Sequence, residues 1–119
     1  MPHLVIEYTA NLTAGFDAAQ ALKAANRSLI ESGEFEPDNI KSRVVPLADF
    51  RVGDRDEGHA FIHAHLHILP GRSESQRAAI AKRLRDALRL QYRPLPGVST
   101  QITVEVLELR RDTYTKVVV

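Results

Sequence analysis

The first residues of the chain offer a candidate base. The sequence begins Met1-Pro2, and the small size of proline favours removal of the initiator methionine, which makes Pro2 the first residue. A terminal proline carries a secondary amine in a rigid ring. Where apolar walls or a nearby cation disfavour its charged form, that amine is a free base near neutral pH and can transfer protons. If Met1 stays in place, the Pro2 nitrogen is an amide without basicity.

Three basic residues are candidates for binding an anionic substrate near such a base. Lys41 and Arg43 lie at the start of a predicted strand, and Arg72 lies at a predicted strand-to-helix corner. Ligands collect at strand ends and corners of open sheets, and the planar guanidinium of arginine matches a carboxylate. Arg72 also directly precedes a predicted helix cap at Ser73, where the first N–H groups of a helix favour an anion. We therefore predict Lys41, Arg43 and Arg72 as substrate-binding residues.

A ladder of three histidines, His63, His65 and His67, is the second group that could carry chemistry. Side chains two apart on a strand share one face at about 6–7 Å, so two imidazoles of the ladder could ligate a zinc or copper ion. No carboxylate has a spacing that completes such a site. The sequence therefore favours the alternative, in which the histidines are polar residues on the second face of a sheet.

Composition and missing motifs exclude several classes of function. The chain has no cysteine, hence no disulfide, thiolate or zinc–thiolate chemistry, and it has neither a Gly-x-Ser-x-Gly elbow nor a glycine-rich phosphate loop. A formal net charge of +1 gives no reason to expect nucleic acid or a membrane surface as a partner. No apolar run is long enough to span a bilayer, and no signal peptide is present. We predict a cytoplasmic protein.

Two strand–helix–strand units must position these residues. In the first unit, alternation of apolar and polar residues over 3–9 predicts a strand. Helical spacing between an N-cap at Thr13 and a stop at Gly33 predicts a helix, and residues 40–51 predict a second strand. Pro46 within that strand indicates a bulge or an edge position.

The second unit repeats the first in outline. A polar turn over residues 53–58 predicts that the strand before it and the strand after it form a hairpin or a long bent pair. Strict alternation over residues 60–69 predicts that next strand. Ser73 and Gln76 have capping-box spacing and predict the start of a helix, and residues 100–109 predict the last strand.

This order predicts a single domain over residues 1–119 with a two-layer α+β (α/β) fold. Its halves are about 1–52 and 58–110, followed by a tail over 111–119. Right-handed crossovers put both helices on one face of a four-stranded mixed sheet. The end of the tail, residues 114–119, is apolar enough to pair as a short strand, for which a neighbouring subunit is one partner.

The two faces of the predicted sheet differ in character. The face under the helices is apolar and consists of Leu4, Ile6, Ile62, Leu66, Ile102 and Val104, which pack against Leu22, Leu29, Leu84 and Leu88. The opposite face is semi-polar and consists of His3, Glu7, His63, His65, His67, Gln101, Thr103 and Glu105. A two-layer domain with such a face often covers it in an oligomer.

Taken together and in order, several short motifs resemble those of the 5-carboxymethyl-2-hydroxymuconate Δ-isomerase family, which belongs to the tautomerase superfamily with an amino-terminal proline. The resemblance runs from Met1 to about Glu108. The motifs are Met1-Pro2-His3-Leu4-Val5-Ile6-Glu7, Asn26, Gly33-x-Phe35, Lys41-Ser42-Arg43-Val44, His59-Ala60-Phe61-Ile62-His63 and Gly71-Arg72-Ser73.

The resemblance implies a tautomerase-like βαβ repeat assembled as a homotrimer, with sheets inside, helices outside and active sites near subunit boundaries. It implies an isomerase of homoprotocatechuate (aromatic) breakdown that needs no metal and no cofactor. Pro2 would be the catalytic base, and Lys41, Arg43 and Arg72 would bind the carboxylates of a small polycarboxylate substrate. One residue departs from the family pattern, since the resemblance leads us to expect arginine at position 41.

Two alternatives remain open at this stage. The protein could be a broader keto–enol tautomerase acting on other 2-oxo acids, because lysine at position 41 provides a point charge where arginine provides a bidentate fork. From a different class, it could be a non-catalytic or histidine-metal-binding trimer, for which the ladder of His63, His65 and His67 would be the site.

Overall fold

The computed structural model describes all residues, 1–119, and confirms two successive strand–helix–strand units. The strands and helices, in chain order, are β1 His3–Thr9, α1 Ala18–Glu31, β2 Lys41–Leu47, β3 His59–Ile68, α2 Glu74–Leu90 and β4 Ser99–Glu108. The strand β2 is shorter than the predicted range of 40–51. No helix is long and apolar enough to cross a membrane.

The four strands form one mixed sheet in the order β2-β1-β3-β4, with both helices packed on the same face. Within each unit the two strands are parallel, and β1 and β3 are antiparallel to each other in the centre. This confirms the predicted two-layer fold with a four-stranded mixed sheet. The backbone of each half therefore runs in the opposite direction to the other.

The predicted hairpin between β2 and β3 is wrong, because β1 lies between these two strands. The physical reason lies in their side chains. The helix-facing residues of β1 and β3 are fully buried, so these two strands must occupy the centre of the sheet. In contrast, β2 carries Lys41, Arg43 and Pro46, and proline cannot donate a hydrogen bond to a second neighbour. The edge position predicted from Pro46 is confirmed.

The core lies between the sheet and the helices, as predicted. Burial alternates strictly along β3, whose even-numbered residues are buried and odd-numbered residues half-buried. Fully buried side chains include Leu4, Ile6, Ile62, Leu66, Leu29, Leu84 and Leu88. The outer strand β4 is less enclosed, and its Ile102 and Val104 pack at the margin of this core.

The first helix begins later than predicted. Thr13 does not cap it; its hydroxyl donates to the Ala10 carbonyl at 2.8 Å in a short 3-10 turn. Asp17 caps α1 instead, since its carboxylate accepts the Gln20 N–H at 3.1 Å. A charged acceptor at a helix start is the stronger cap. The predicted stop is confirmed, because Gly33 follows α1 with a φ of 76°.

The second helix begins as predicted, at a capping box. The Ser73 hydroxyl accepts the Gln76 N–H at 3.2 Å, and the Gln76 side chain accepts the Ser73 N–H at 2.8 Å. Because the cap fixes the first turn of α2, it also fixes the backbone of Arg72, the residue directly before it.

Two equivalent corners lie at opposite ends of the central strands. At the first, the backbone N–H of Lys41 donates to the carbonyl of Pro2 at 3.0 Å, and at the second the N–H of Ser99 donates to the carbonyl of Gly58 at 2.9 Å. We call these the Pro2 corner and the Gly58 corner. Each joins the residue before one central strand to the first residue of its parallel partner.

The C-terminal tail, residues 114–119, forms no strand within this chain. Val117, Val118 and Val119 are at least 80% exposed. Pairing of the tail with a neighbouring subunit stays a prediction.

Candidate active site

Pro2 lies directly before β1 in the centre of the sheet. Its side chain is fully buried, and its carbonyl is held by the Lys41 N–H. A strand paired on both sides keeps the Pro2 nitrogen in one place. Beside it is a cavity of about 210 Å³ whose lining includes Met1, Phe35 and Arg72.

The amino group at this corner lies in cationic surroundings. Met1 is in place in the structure and carries this group. Partial burial lowers the pKa of the amine below its ordinary value of 8.0, and the charges of Lys41, Lys116 and Arg72 lower the pKa further. Removal of Met1 transfers the amino group to Pro2, one residue away in the same corner. Burial and the nearby cations of this corner therefore disfavour a charged amine.

Arg72 reaches the same cavity from the corner between β3 and α2. Its Nε donates to the Glu34 carboxylate at 2.7 Å and its Nη2 to the Glu34 carbonyl at 2.6 Å. The guanidinium carbon also lies 4.4 Å from the centre of the Phe35 ring. These contacts lock the side chain, yet a guanidinium has five N–H groups, so three remain for an anion in the cavity.

Lys41 is joined at this corner by a residue that the sequence analysis did not select, Lys116 of the C-terminal tail. The Lys41 Nζ donates to the Asn39 carbonyl at 2.8 Å, and the Lys116 Nζ donates to the Asn39 side-chain oxygen at 2.9 Å. Asn39 itself lines the cavity. One asparagine thus holds two ammonium groups, and neither forms an ion pair with a carboxylate.

Arg43 is not brought to this cavity within the chain. It lies opposite Val5 in the register of β1 and β2, and its side chain is exposed on the semi-polar sheet face. Its charge contributes to the lowered pKa of His3, whose first cause is burial and whose second is Lys41. Of the predicted substrate-binding residues, the structure therefore gathers Lys41 and Arg72 around Pro2 and leaves Arg43 apart.

The tail also brings a tyrosine to the amino terminus. The Tyr114 hydroxyl lies 2.9 Å from His3 Nε2 and donates to the Met1 sulfur at 3.2 Å. The rings of Tyr114 and His3 meet edge to face, with centroids 5.9 Å apart. A hydroxyl group therefore borders the position of the terminal amine.

The histidine ladder stacks along the semi-polar face without forming a metal site. Ring centroids are 5.7 Å apart for His63 and His65 and 5.6 Å apart for His65 and His67. His63 is engaged on both ring nitrogens, with Thr103 at 2.7 Å and Glu105 at 3.4 Å. No group of three His, Asp or Glu side chains has a geometry that could hold a metal ion. Polar packing on the second face is the interpretation that the geometry supports.

A larger hollow lies elsewhere on the surface. A groove of about 470 Å³ runs between α1 and α2, lined largely by the charged and polar residues Lys23, Arg27, Glu31, Arg83 and Asp86. The smaller cavity at Pro2 is the one that borders a candidate base. Arg72 lines it, and the charges of Lys41 and Lys116 act on the amine beside it.

Four residues of the Pro2 corner, Glu34, Asn39, Tyr114 and Lys116, were not identified as site residues from the sequence. Glu34 is the unspecified position of the Gly33-x-Phe35 motif, and the apolar character of residues 114–119 predicts only a strand there. Tyr114 and His3 are 111 positions apart, so no local pattern links them.

Two comparisons of the sequence with known proteins give the same isomerase. A family model described as 5-carboxymethyl-2-hydroxymuconate isomerase matches residues 2–117. The chain is 26% identical over 95 residues to the 5-carboxymethyl-2-hydroxymuconate Delta-isomerase of Escherichia coli, a match covering 80% of this chain and 75% of that protein.

Solved structures give the same family and the same fold. A 5-carboxymethyl-2-hydroxymuconate isomerase from Deinococcus radiodurans R1 superposes with a TM-score of 0.82 at 26% identity, covering 97% of this chain and 87% of that one. A fused 4-OT described as a symmetric trimer superposes with a TM-score of 0.72 at 15% identity, covering 92% of this chain and 87% of that one. The second likeness concerns the fold alone.

Proposed function

The chain belongs to the 5-carboxymethyl-2-hydroxymuconate isomerase family, and on that premise we propose that it isomerises a 2-hydroxymuconate-type polycarboxylate with Pro2 as its base. The single observation that carries this proposal is the Pro2 corner. There, an amine whose pKa is lowered by burial and by three cations borders a cavity that can admit a small anion. We further propose that residues 1–119 act as one domain, in the cytoplasm, in the breakdown of homoprotocatechuate.

The proposed reaction is a proton transfer with a shift of double bonds. Once Met1 is removed, Pro2 as free base takes the enolic proton from the 2-hydroxy group of the substrate. The enol becomes a ketone, the C=O bond replaces one carbon–carbon double bond of the diene, the other double bond moves one position into conjugation with the ketone, and the prolinium returns its proton to the distant carbon of the former diene. No atom is gained or lost, and the reaction requires no redox partner. Proton transfer of this kind contributes about 10²–10⁴ to the rate.

The cations around Pro2 hold the substrate and stabilise its developing charge. Lys41 and the unused N–H groups of Arg72 would bind two carboxylates on either side of the amine. Such fixed positive groups stabilise the enolate-like charge of the transition state, and orientation of the substrate lowers the barrier further.

We propose a homotrimer in which the semi-polar sheet faces meet. The relevant observation is Arg43, which is exposed on that face and does not reach the Pro2 cavity of its own chain. An active site near a subunit boundary would allow Arg43 to serve a neighbouring site. A fold neighbour is described as a symmetric trimer, which is the precedent for this arrangement.

The experiment combines intact mass with turnover. The purified protein is divided, and one half is treated with methionine aminopeptidase until its mass falls by one methionine. We expect 5-carboxymethyl-2-hydroxymuconate to be converted only by protein that begins at Pro2. Equal turnover by protein that retains Met1 would exclude Pro2 as the base, and absence of turnover in both would exclude this substrate.

A broader tautomerase of 2-oxo acids is the second candidate, favoured by lysine in place of the arginine expected at position 41. A lysine binds a carboxylate as a point charge and selects its geometry less strictly. Comparing kcat/KM for a tricarboxylate enol with that for a monocarboxylate enol such as phenylenolpyruvate separates the two. A ratio near one favours the broader enzyme.

A further inference from the structure

We propose that the C-terminal tail is part of the active site, with Lys116 binding a substrate carboxylate together with Lys41 and Tyr114 donating a hydrogen bond to a substrate oxygen. This inference rests on the proposed function of the Pro2 corner and extends it to residues that neither the family match nor the sequence analysis assigned.

The tail is attached to the rest of the chain through this corner. Its backbone is extended at Tyr114, with φ −104° and ψ 122°, so side chains two positions apart point to the same side. Tyr114 and Lys116 both contact residues of the corner, namely His3, Met1 and Asn39. The valines that follow are at least 80% exposed. The tail therefore has two polar attachments at the site and no apolar anchor beyond it.

The Tyr114 hydroxyl contacts both His3 and Met1. Its oxygen lies 2.9 Å from His3 Nε2 and 3.2 Å from the Met1 sulfur. Burial and the neighbouring charge of Lys41 lower the pKa of His3, which favours a neutral ring with one N–H. With that N–H on Nε2, His3 donates to the phenolic oxygen and Tyr114 donates toward Met1; in the other tautomer, Tyr114 donates to Nε2.

Removal of Met1 vacates the side of the Tyr114 hydroxyl that the sulfur contacts. Sulfur is a weak acceptor, whereas the enol oxygen or a carboxylate of the substrate is a strong one. In the tautomer with the proton on Nε2, the N–H of His3 donates to the phenolic oxygen and strengthens its donation toward the vacated side. The volume occupied by the Met1 side chain is thus the place where a substrate oxygen would meet the hydroxyl.

Lys116 adds a charge that no acidic residue neutralises. Asn39 holds the ammonium groups of Lys41 and Lys116 on its two oxygens, and each ammonium has three donors. Arg72, in contrast, is paired with Glu34 at 2.7 Å. Two like charges on one neutral residue repel each other, and a substrate carboxylate between them removes that repulsion. Lys41 and Lys116 are therefore the pair best arranged to take one carboxylate.

The test uses two truncated chains as a matched pair, both freed of Met1. One ends at Lys116 and lacks only the exposed valines; the other ends at Thr113 and lacks the whole tail. We expect the first to keep the KM of the full chain and the second to raise it about tenfold or more, the effect of losing one charge-assisted hydrogen bond. Equal KM values for the two truncated chains would overturn the proposal.

Point variants separate the two side chains and distinguish substrate contact from structure. Lys116→Ala should raise KM about tenfold and move the acid limb of kcat/KM to higher pH, because removing a nearby cation raises the pKa of the amine. Lys116→Arg should restore both, and Lys82→Ala, an exposed lysine on α2, is the control. Tyr114→Phe should lower kcat and leave the acid limb in place. Profiles like that of Lys82→Ala would exclude a role for the tail.

A binding measurement keeps this inference separate from the reaction. Tricarballylate, a saturated tricarboxylate that cannot be isomerised, is titrated into the same chains by calorimetry. If the full chain binds it and the chain ending at Thr113 binds it about tenfold more weakly, the tail contacts the anion whatever the substrate proves to be. If both bind it equally, the inference fails even when the full chain isomerises the muconate.

Discussion

The Pro2 corner and the Gly58 corner have the same backbone bond and differ in their cations. Both join the residue before a central strand to its parallel partner by one N–H to carbonyl bond of 3.0 or 2.9 Å. The first corner has an amine with Lys41, Arg72 and Lys116 near it, and Glu34 and Glu36 in the lining of its cavity. The second has a larger cavity, about 430 Å³, with Asp56 and Glu57 in its lining and no lysine or arginine.

The fold therefore provides two corners with equivalent backbones, and the residues around each corner determine its charge. Four positions after β3 is Arg72, and four positions after β1 is Thr13, whose hydroxyl only closes a turn. At the Gly58 corner, the nearest basic partner of Asp56 is Arg51, at 2.7 Å on the exposed surface. The Pro2 corner therefore has three cations near its amine, whereas the cavity at the Gly58 corner has none in its lining.

We expect the largest effect from replacing Pro2, the proposed base. Pro2→Ala leaves a primary amine at the same corner but removes the rigid ring that fixes the nitrogen. We expect kcat to fall while some turnover remains, with the loss bounded by the roughly 10²–10⁴ that proton transfer contributes. Steady-state kinetics on protein of verified amino terminus measures it. Unchanged kcat would mean that the chemistry takes place elsewhere.

The next largest effect should separate the charges of the two corners. Arg72→Ala and Lys41→Ala should each raise KM for the polycarboxylate about tenfold, since each removes a charged hydrogen-bond donor. Asp56→Asn and Glu57→Gln are the matched variants at the Gly58 corner, and we expect them to leave KM unchanged. An unchanged KM in Arg72→Ala would remove that residue from substrate binding. Glu34→Gln removes the charged partner of Arg72. A raised KM in this variant would show that Glu34 must hold the guanidinium in place for substrate binding.

A smaller effect tests whether equivalent hydrogen bonds in the two halves contribute equally to the free energy of unfolding. Ser42 and Thr100 are the second residues of β2 and β4. Ser42 donates to the Asn26 amide oxygen at 2.7 Å, and Thr100 is hydrogen-bonded to the Tyr92 hydroxyl at 2.8 Å.

We expect Ser42→Ala and Tyr92→Phe each to lower the free energy of unfolding by about 1 kcal/mol. Urea denaturation measures this, with Thr115→Ala as the control, because the Thr115 side chain is exposed and makes no hydrogen bond within the chain. If only one of these two variants is less stable than the wild type, the two units do not contribute equally to stability.

The smallest effect concerns pH. His3 begins β1 at the cationic corner, and burial together with Lys41 lowers its pKa below 6.5. A lowered pKa in the folded state means that the unfolded chain binds the proton more readily. The contribution to stability is therefore present above about pH 6.5 and is lost as the pH falls through the folded pKa.

Because His3 is partly exposed, we expect the wild-type loss between pH 8 and pH 5.5 to exceed that of His3→Gln by less than ~1 kcal/mol. His59→Gln replaces the first residue of β3, at the Gly58 corner, and is the matched control. A greater loss in His3→Gln than in the wild type would reverse the sign and contradict the assignment.

The elements were predictable from the sequence because their causes are local. Alternation along β3, the capping box at Ser73 and the stop at Gly33 each depend on residues a few positions apart, and all three are confirmed. Pro46 correctly indicated an edge because the missing N–H is a property of the residue itself. The cap of α1 is Asp17, where the sequence predicts Thr13. Both residues are candidate caps a few positions apart, and the sequence pattern does not show which one stabilises the helix more.

What the sequence could not provide was the pairing of distant parts. The strand β1 lies between β2 and β3 because β1 and β3 are both buried in the centre of the sheet. The turn between β2 and β3 contains no information about that burial. The contacts of Glu34 with Arg72 and of Lys116 with Asn39 span 38 and 77 positions. Residue chemistry and the family resemblance both predict Pro2, Lys41, Arg43 and Arg72 as site residues, and the structure brings all but Arg43 together. The positions of Tyr114 and Lys116, in contrast, depend on where the tail lies.

The backbone bond at the Gly58 corner has a consequence for protein design. A circular permutant opened between Glu57 and Gly58, with the original ends joined by a linker, would begin at residue 58 in the place equivalent to Pro2. The φ of 86° at Gly58 would no longer matter, because φ is undefined without a preceding carbonyl, and proline could occupy that position. The linker would convert the original Pro2 nitrogen into an amide. The bond from Ser99 to residue 58 would already hold the new amine against its sheet, so only the surrounding cations would need to be installed.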